Sequence, residues 1–229
     1  MLDWREGARP WPQKLKRTPE EEAAHRAKMT AFARWLWSES VPARGTLVEV
    51  YLWSRLLTMP PPPSLRLHYR LRLDEIGKLP AMVGKVEHIE HGFTAIHVTW
   101  LHPDYHAGGA RRGARKTFGP IGGGAVRFGW PKPGKWLTVA EGVESTLSAM
   151  QLTGLPGWAA LSDGGIERLL LPPEARQVLI CADNDANGRG EAAARNAAER
   201  WLSEGREVRL ALPPETGSDF NDVLLRGAI

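Results

Sequence analysis

An α/β fold, with a four-stranded and mainly parallel sheet preceded by a smaller basic α+β subdomain, is what three features of this sequence predict. From Trp136 onward, short apolar runs alternate with helical segments, the pattern of βα units feeding a parallel sheet. Between residues 65 and 101 the period is instead two, the mark of extended segments with one dry face. Charge divides at the same place. Residues 1–135 carry 22 Lys and Arg against 12 Asp and Glu, a net of +10, whereas 136–229 carry 8 against 14, a net of −6. A basic half joined to an acidic half suits a protein that binds a polyanion with one part and gathers carboxylates for a metal with the other.

Residues 1–18, with Trp4, Trp11 and the basic run Lys14-Leu-Lys16-Arg17, show no period and read as a loosely attached arm. A helical segment follows over 19–59. Thr18-Pro19-Glu20-Glu21 starts its first helix: Thr18 suits an N-cap, Pro19 the first helical position, and Glu21 completes a capping box. This helix is expected to run to about Ser38 and to bury Met29, Phe32 and Leu36. A second, about Thr46–Leu57, stops before the stiff connector Pro60-Pro61-Pro62-Pro63.

The basic α+β subdomain covers 64–135. Leu65, Leu67, Tyr69, Leu71 and Leu73 alternate with polar residues, and Ala81–Ile89 and Phe93–Leu101 form a hairpin across Glu90-His91-Gly92. The glycine-rich stretch His102–Gly124, which carries Arg111, Arg112, Arg115 and Lys116, reads as a mobile basic loop that returns to a short strand at Ala125–Phe128. The acidic region 136–229 holds strands at Trp136–Ala140, Gly157–Leu161, Gln177–Ala182 and Glu207–Leu212. Helices at about Val143–Leu152, Ile166–Leu171, Gly188–Glu204 and Asp219–Leu225 separate and follow them.

Composition excludes several classes. Hydrophobic residues are 42% and charged residues 24%, enough apolar material for a core and against intrinsic disorder. The single cysteine, Cys181, excludes a disulfide framework and a cysteine-rich zinc ribbon. His88, His91, His102 and His106 have spacings that could hold zinc, but structural zinc normally takes several cysteines, so no zinc is expected. The charged amino terminus is no secretory signal and no apolar run is long enough to span a membrane, so a cytoplasmic protein without membrane partners is expected. Trp35, Trp53 and Trp100 fall within periodic patterns and are expected in the core.

In open parallel sheets, chemistry sits beyond the carboxyl ends of the strands. The first of the four strands here ends in Glu141-Gly142, the third in Asp183-Asn184-Asp185, and the fourth is followed by Asp219-Phe220-Asn221-Asp222. Residues two apart in an extended segment point the same way, so Asp183 and Asp185 share a target. Carboxylates converging without local lysines repel one another unless a cation sits between them, and oxygen donors select a hard ion, Mg²⁺ or Mn²⁺. Glu141, from another strand, is the candidate for proton transfer or a second metal position. Ser162-Asp163-Gly164-Gly165, at the same edge, suits either phosphate held by backbone amides or a plain turn.

Three segments carry a family resemblance. Thr138-Val-Ala-Glu141-Gly142-Val-Glu144-Ser-Thr-Leu, Leu179-Ile-Cys-Ala-Asp183-Asn-Asp185-Ala-Asn-Gly188 and Gly217-Ser-Asp219-Phe-Asn-Asp222 resemble the three Toprim motifs. They are closest in wording to the Toprim primase-like proteins of phages, plasmids and integrated elements. The likeness covers about residues 136–226 and extends more weakly upstream, to Ala81–Trp100, Lys116–Gly119 and Gly124–Phe128.

The resemblance implies a Rossmann-like Toprim domain. Within it Glu141 acts as general acid/base or metal ligand, Asp183 and Asp185 bind Mg²⁺, and Asp219 with Asp222 completes the metal site. It also implies that Arg111, Arg112, Arg115, Lys116 and Arg127 contact the phosphates of template or incoming nucleotide. The implied activity is Mg²⁺-dependent primer synthesis from nucleoside triphosphates on single-stranded DNA, in replication of a phage, plasmid or mobile element. The sequence lacks the cysteine zinc domain and the G-x-x-x-x-G-K-[ST] phosphate loop of fused primase-helicases, so a separate helicase or template-recognition protein is expected. Two alternatives share the motifs: a Toprim metal-dependent nuclease, and a non-catalytic nucleic-acid-binding protein that docks on a replisome.

Overall fold

The computed structural model describes residues 17–104 and 109–227, and their side chains except at 75 and 103–112. Residues 1–16 of the arm, with Trp4 and Trp11, and His106 therefore lie outside the described residues.

Helix α1 (Pro19–Ser38) starts as its sequence dictates: Glu21 N–H donates to Thr18 Oγ1 at 3.2 Å, and Thr18 N–H donates to the Glu21 carboxylate at 2.9 Å. It rests on one face of a sheet and fully buries only Ala33 and Leu36. Phe32 is 39% exposed and Trp35 54%, against the expectation of burial. The covered stripe is narrow, so the bulky aromatics ride its flank, where Phe32 meets Phe118 edge-on at 5.5 Å. Helix α2 (Leu47–Ser54), capped by Thr46, buries Val48, Tyr51 and Leu52. Trp53 stands one residue beyond that stripe and is 54% exposed, a second correction.

Short β1 (Val41–Pro42) pairs with β2 (Leu65–Leu73), which begins an antiparallel meander with β3 (Gly77–His88), β4 (Gly92–Asp104) and β5 (Gly109–Phe118). The leucines of β2 do not share one dry face. A bulge sets Tyr69 and Arg70 opposite Pro80, which has no N–H to give the ladder. Leu65 and Leu67 consequently pack beneath α2 and Leu71 and Leu73 beneath α1, while Tyr69 turns out to solvent. The stretch read as a mobile loop also differs: Gly109–Phe118 is an ordered strand along the outer side of β4. Its glycines and cations conceal the alternation, and they suit a strand that pairs on one side only, where lysine and arginine deter further pairing.

Strand β6 (Ala125–Arg127) joins the two regions, pairing antiparallel with β3 on one side and with β8 (Gly157–Ala159) on the other. Beyond it β8, β7 (Trp136–Ala140), β9 (Gln177–Cys181) and β10 (Glu207–Ala211) lie parallel in that order, the expected four-stranded arrangement. All ten strands among the described residues thus make one sheet. Helices α3 (Val143–Thr153) and α6 (Phe220–Arg226) pack with α2 on one face, and α4 (Asp163–Arg168) and α5 (Arg189–Ser203) on the other. No helix among the described residues is long and apolar enough to cross a membrane.

Trp100 anchors the core under α1, fully buried and donating its indole N–H to the Leu71 carbonyl at 3.1 Å. Trp100→Ala leaves a large void and is expected to cost about 3–5 kcal/mol, measured as a lowered urea midpoint with far-UV dichroism retained below it.

Candidate active site and metal centre

The carboxyl edge of the parallel strands opens into a polar cleft of about 190 Å³. Glu141, Gly142, Glu144 and Ser145 line it from the β7–α3 junction, Asp183 and Asp185 from beyond β9, Gly217, Ser218, Asp219 and Asp222 from the approach to α6, and Arg115 from β5. All five acids expected at a metal site therefore meet in one place. Among the described residues, none of them is engaged in a salt bridge.

Local structure explains the convergence. Asn184, between the two aspartates, turns away from them and ties down the loop that carries Asp219. Its side chain donates to the Pro213 carbonyl at 2.9 Å, its N–H to Ser218 O at 3.0 Å, and its carbonyl accepts from Gly217 N–H at 2.6 Å. Helix α5 starts close against Asp183, since a Cβ on Gly190 would stand 2.7 Å from the Asp183 carbonyl oxygen. Only glycine admits that approach. Asp219 and Asp222 cap α6 reciprocally: Asp219 Oδ1 accepts from Asn221 and Asp222 N–H, and Asp222 Oδ2 accepts from Asp219 N–H. One oxygen of each is left for the cleft.

Asp163 joins this group, and the sequence reading, which weighed its segment only for backbone amides or a turn, missed its carboxylate. Leu161 N–H donates to the Glu141 carbonyl at 2.8 Å, and Leu161 then bends the chain at φ 73°. A left-handed leucine is strained, and such strain persists only where the surroundings over-determine it. Here it delivers Ser162 as the cap of α4 and Asp163 to hydrogen-bonding range of Glu141. The available signal was position: Asp163 follows its strand as the other acids follow theirs. Glu144 was also passed over. It is buried, accepts from Tyr51 Oη at 2.6 Å, and faces His97, whose own burial drives its pKa down to about 4 and so keeps the ring neutral.

Burial and crowding set the titration of the cleft. Desolvation, then the hydrogen bond with Asp163 and the charges of Asp163, Asp183 and Asp185, raise Glu141 to about 8. Asp183 is raised to about 7 by burial and by Asp219, Asp185 and Asp163, with Arg115 opposing. Oxygens Asp183 Oδ1 and Asp163 Oδ1 are buried without a hydrogen-bond partner. Orphaned hard oxygens amid mutual repulsion are the donor set that a Mg²⁺ or Mn²⁺ ion satisfies, so the residues fit the group expected.

The basic residues divide. Arg115 stands in the cleft. Lys116, the next residue of the strand, faces the other way, with its ammonium 5.6 Å from the Phe118 ring. Arg111 and Arg112 pair with His102 and Leu101 through their backbones, and their side chains lie outside those described. Arg127 is not at the cleft: it donates to the Glu87 carbonyl at 3.0 Å and stacks 4.4 Å from the Trp158 ring, bracing the β6 junction.

Residues 136–228 match the family model described as the Toprim domain, and residues 27–128 match one described as a domain of unknown function (DUF7146). Among solved structures, the primase fragment of the bacteriophage T7 primase-helicase is similar over 82% of this chain and 69% of its own, at 19% identity and TM-score 0.49. A DNA primase domain from Pseudomonas aeruginosa aligns over 88% and 74%, at 18% identity and TM-score 0.47. The DnaG primase catalytic domain bound to single-stranded DNA aligns over 91% and 79%, at 15% identity and TM-score 0.49. No curated protein matches the chain.

Glu141 and Asp183 both hold protons more tightly folded than unfolded, so their contribution to stability is full below about pH 4 and is lost as pH rises through 7 to 8. In chelator, the melting temperature is expected to fall over that interval. Asp183→Asn, which removes one repelling charge, is expected to melt higher than the unaltered protein at pH 8, and added Mg²⁺ to raise the unaltered protein more than the variant.

Proposed function

Because residues 136–228 are a Toprim domain, we propose that the chain is a DNA primase-like nucleotidyltransferase, which extends a primer from nucleoside triphosphates on single-stranded DNA with Mg²⁺ or Mn²⁺. The observation that carries this reading is the make-up of the cleft: carboxylates from separate strand ends face Arg115, the one contribution of the basic subdomain among the described lining residues.

Asp183 and Asp185 would hold the ion, with the free oxygens of Asp219 and Asp222 completing its surroundings. When bound, the ion neutralises phosphate oxygens and stabilises the attacking and leaving oxygens of an in-line displacement. Glu141, whose pKa in the metal-free cleft is raised by burial and neighbouring carboxylates, would act from its deprotonated form, accepting the proton of the attacking 3′-hydroxyl as its oxygen bonds the α-phosphorus and pyrophosphate departs. Asp163 shares that proton through its hydrogen bond and holds the Glu141 carboxyl in place. The Arg115 guanidinium pairs with phosphate oxygens of nucleotide or template. By the resemblance Arg111, Arg112 and Lys116 would also contact phosphates, with Lys116 doing so from the face of β5 turned away from the cleft. The reading implies a separate helicase or template-recognition partner, and a cytoplasmic role in replicating a phage, plasmid or mobile element.

Incubation with single-stranded DNA, Mg²⁺ and labelled nucleotides is expected to give lengthened products. Shortened DNA without nucleotide consumption would instead establish cleavage at the same carboxylates. Asp183→Asn is expected to lower metal-dependent turnover by about a hundredfold or more while leaving DNA affinity unchanged. If turnover survives, the cleft is not the catalytic centre. Arg115→Ala is expected to weaken single-stranded DNA binding and to flatten its salt dependence by about 0.7 in log–log slope, one phosphate contact, as read by fluorescence anisotropy.

A further inference from the structure

We propose that the β3–β4 hairpin carries a second metal site, formed by His88, Glu90 and His91, that takes a borderline divalent transition ion such as Zn²⁺ or Co²⁺. One donor atom from each lies within 4.8 Å of the other two, the one such group of histidines, cysteines or acids among the described residues. No three described carboxylates of the cleft come within that distance of one another, and none of the three hairpin residues lines it. The single cysteine excludes thiolate-rich zinc sites, but two imidazoles with one carboxylate make a different donor set. It selects zinc-like ions over Mg²⁺ and leaves a coordination position for water.

The hairpin builds the site from a short span. His88 ends β3, and Gly92 opens β4 at φ 63°, so the intervening turn folds back tightly. The two imidazole rings stack at 4.5 Å with 13° between their planes; because each nitrogen lone pair lies in its ring plane, exposed His91 turns off this stack to share an ion with His88. His88 is buried beneath the Gly119–Gly124 segment. A Cβ on Gly123, itself at φ 77°, would come within 2.7 Å of His88 Nε2, so a glycine there makes room for the ring. His88 Nδ1 accepts the Glu90 N–H at 3.1 Å. In the neutral ring the available lone pair is therefore on Nδ1 and the proton on Nε2, and the ion takes Nδ1 in exchange for that hydrogen bond.

Both histidines also line a cavity of about 640 Å³ with Arg26 and Arg34. Those arginines repel any divalent ion alike, so binding rests on the imidazole lone pairs, and it is these nitrogen donors that favour a transition ion over Mg²⁺.

The test uses the full chain, freed of metal and kept in saturating Mg²⁺ so that the carboxylate cleft does not compete. Titration with CoCl₂ followed by visible absorption, and with ZnCl₂ by calorimetry, is expected to show one tight equivalent. His91→Ala and Glu90→Gln, both at exposed positions, are each expected to weaken it by about tenfold or more, and Asp183→Asn to leave it unchanged. Absence of a bound equivalent under Mg²⁺, or equal binding by His91→Ala and the unaltered protein, would overturn the site whatever the outcome of the primer-synthesis assay.

Discussion

Carboxylates forced together in a half-buried cleft are unstable unless something neutralises them, and much of this protein is arranged to force them together. Glu141, Asp163 and Asp183 lie on separate strand exits, yet Asp163 and Asp183 both raise the pKa of Glu141, and Asp163 raises that of Asp183 as well. Spreading the acids over the surface would relieve the repulsion at once. The chain instead ties Asn184 to the 213–218 loop, bends a leucine into a left-handed turn and brings a glycine-started helix against the Asp183 backbone. Each device costs conformational freedom or strain, and their shared result is a set of hard oxygens held ready for a cation.

The continuous sheet gives that cleft its second wall. Strand β6 pairs with β3 and β8, so the antiparallel meander of the basic region and the parallel sheet of the acidic region are one hydrogen-bonded body. The edge strand β5 consequently stands at a fixed place relative to the carboxylates, and alternation along it sends Arg115 into the cleft and Lys116 to the opposite face. Tyr51 of α2 clasps Glu144 of α3 across the same junction. Arg127, which by composition resembles the phosphate-binding arginines, is spent on holding the junction together through Glu87 and Trp158.

Local rules were legible in the sequence wherever the chain obeys one periodicity. The capping box at Thr18, the four parallel strands and the acids at their ends follow from residue pattern, because backbone geometry converts spacing directly into direction. The reading failed where a partner element sets the outcome. Tyr69 alternates perfectly with its leucines, yet the bulge opposite Pro80 sends the two halves of β2 to opposite faces. Gly109–Phe118 reads as a loop because its order comes from the β4 ladder rather than from its own side chains. Trp35 and Trp53 have helical spacing, but the width of the covered stripe depends on what lies beneath each helix.

By itself, the sequence determined which residues carry chemistry and at which strand ends they fall, since hydrophobic period, turn chemistry and charge are local properties of the chain. Only the tertiary structure decided which of them meet. Glu144 and Arg115 entered the cleft, Asp163 reached Glu141 beside it, and Arg127 stayed out, because sheet order and register, not spacing along the chain, fix the distances between groups far apart in sequence.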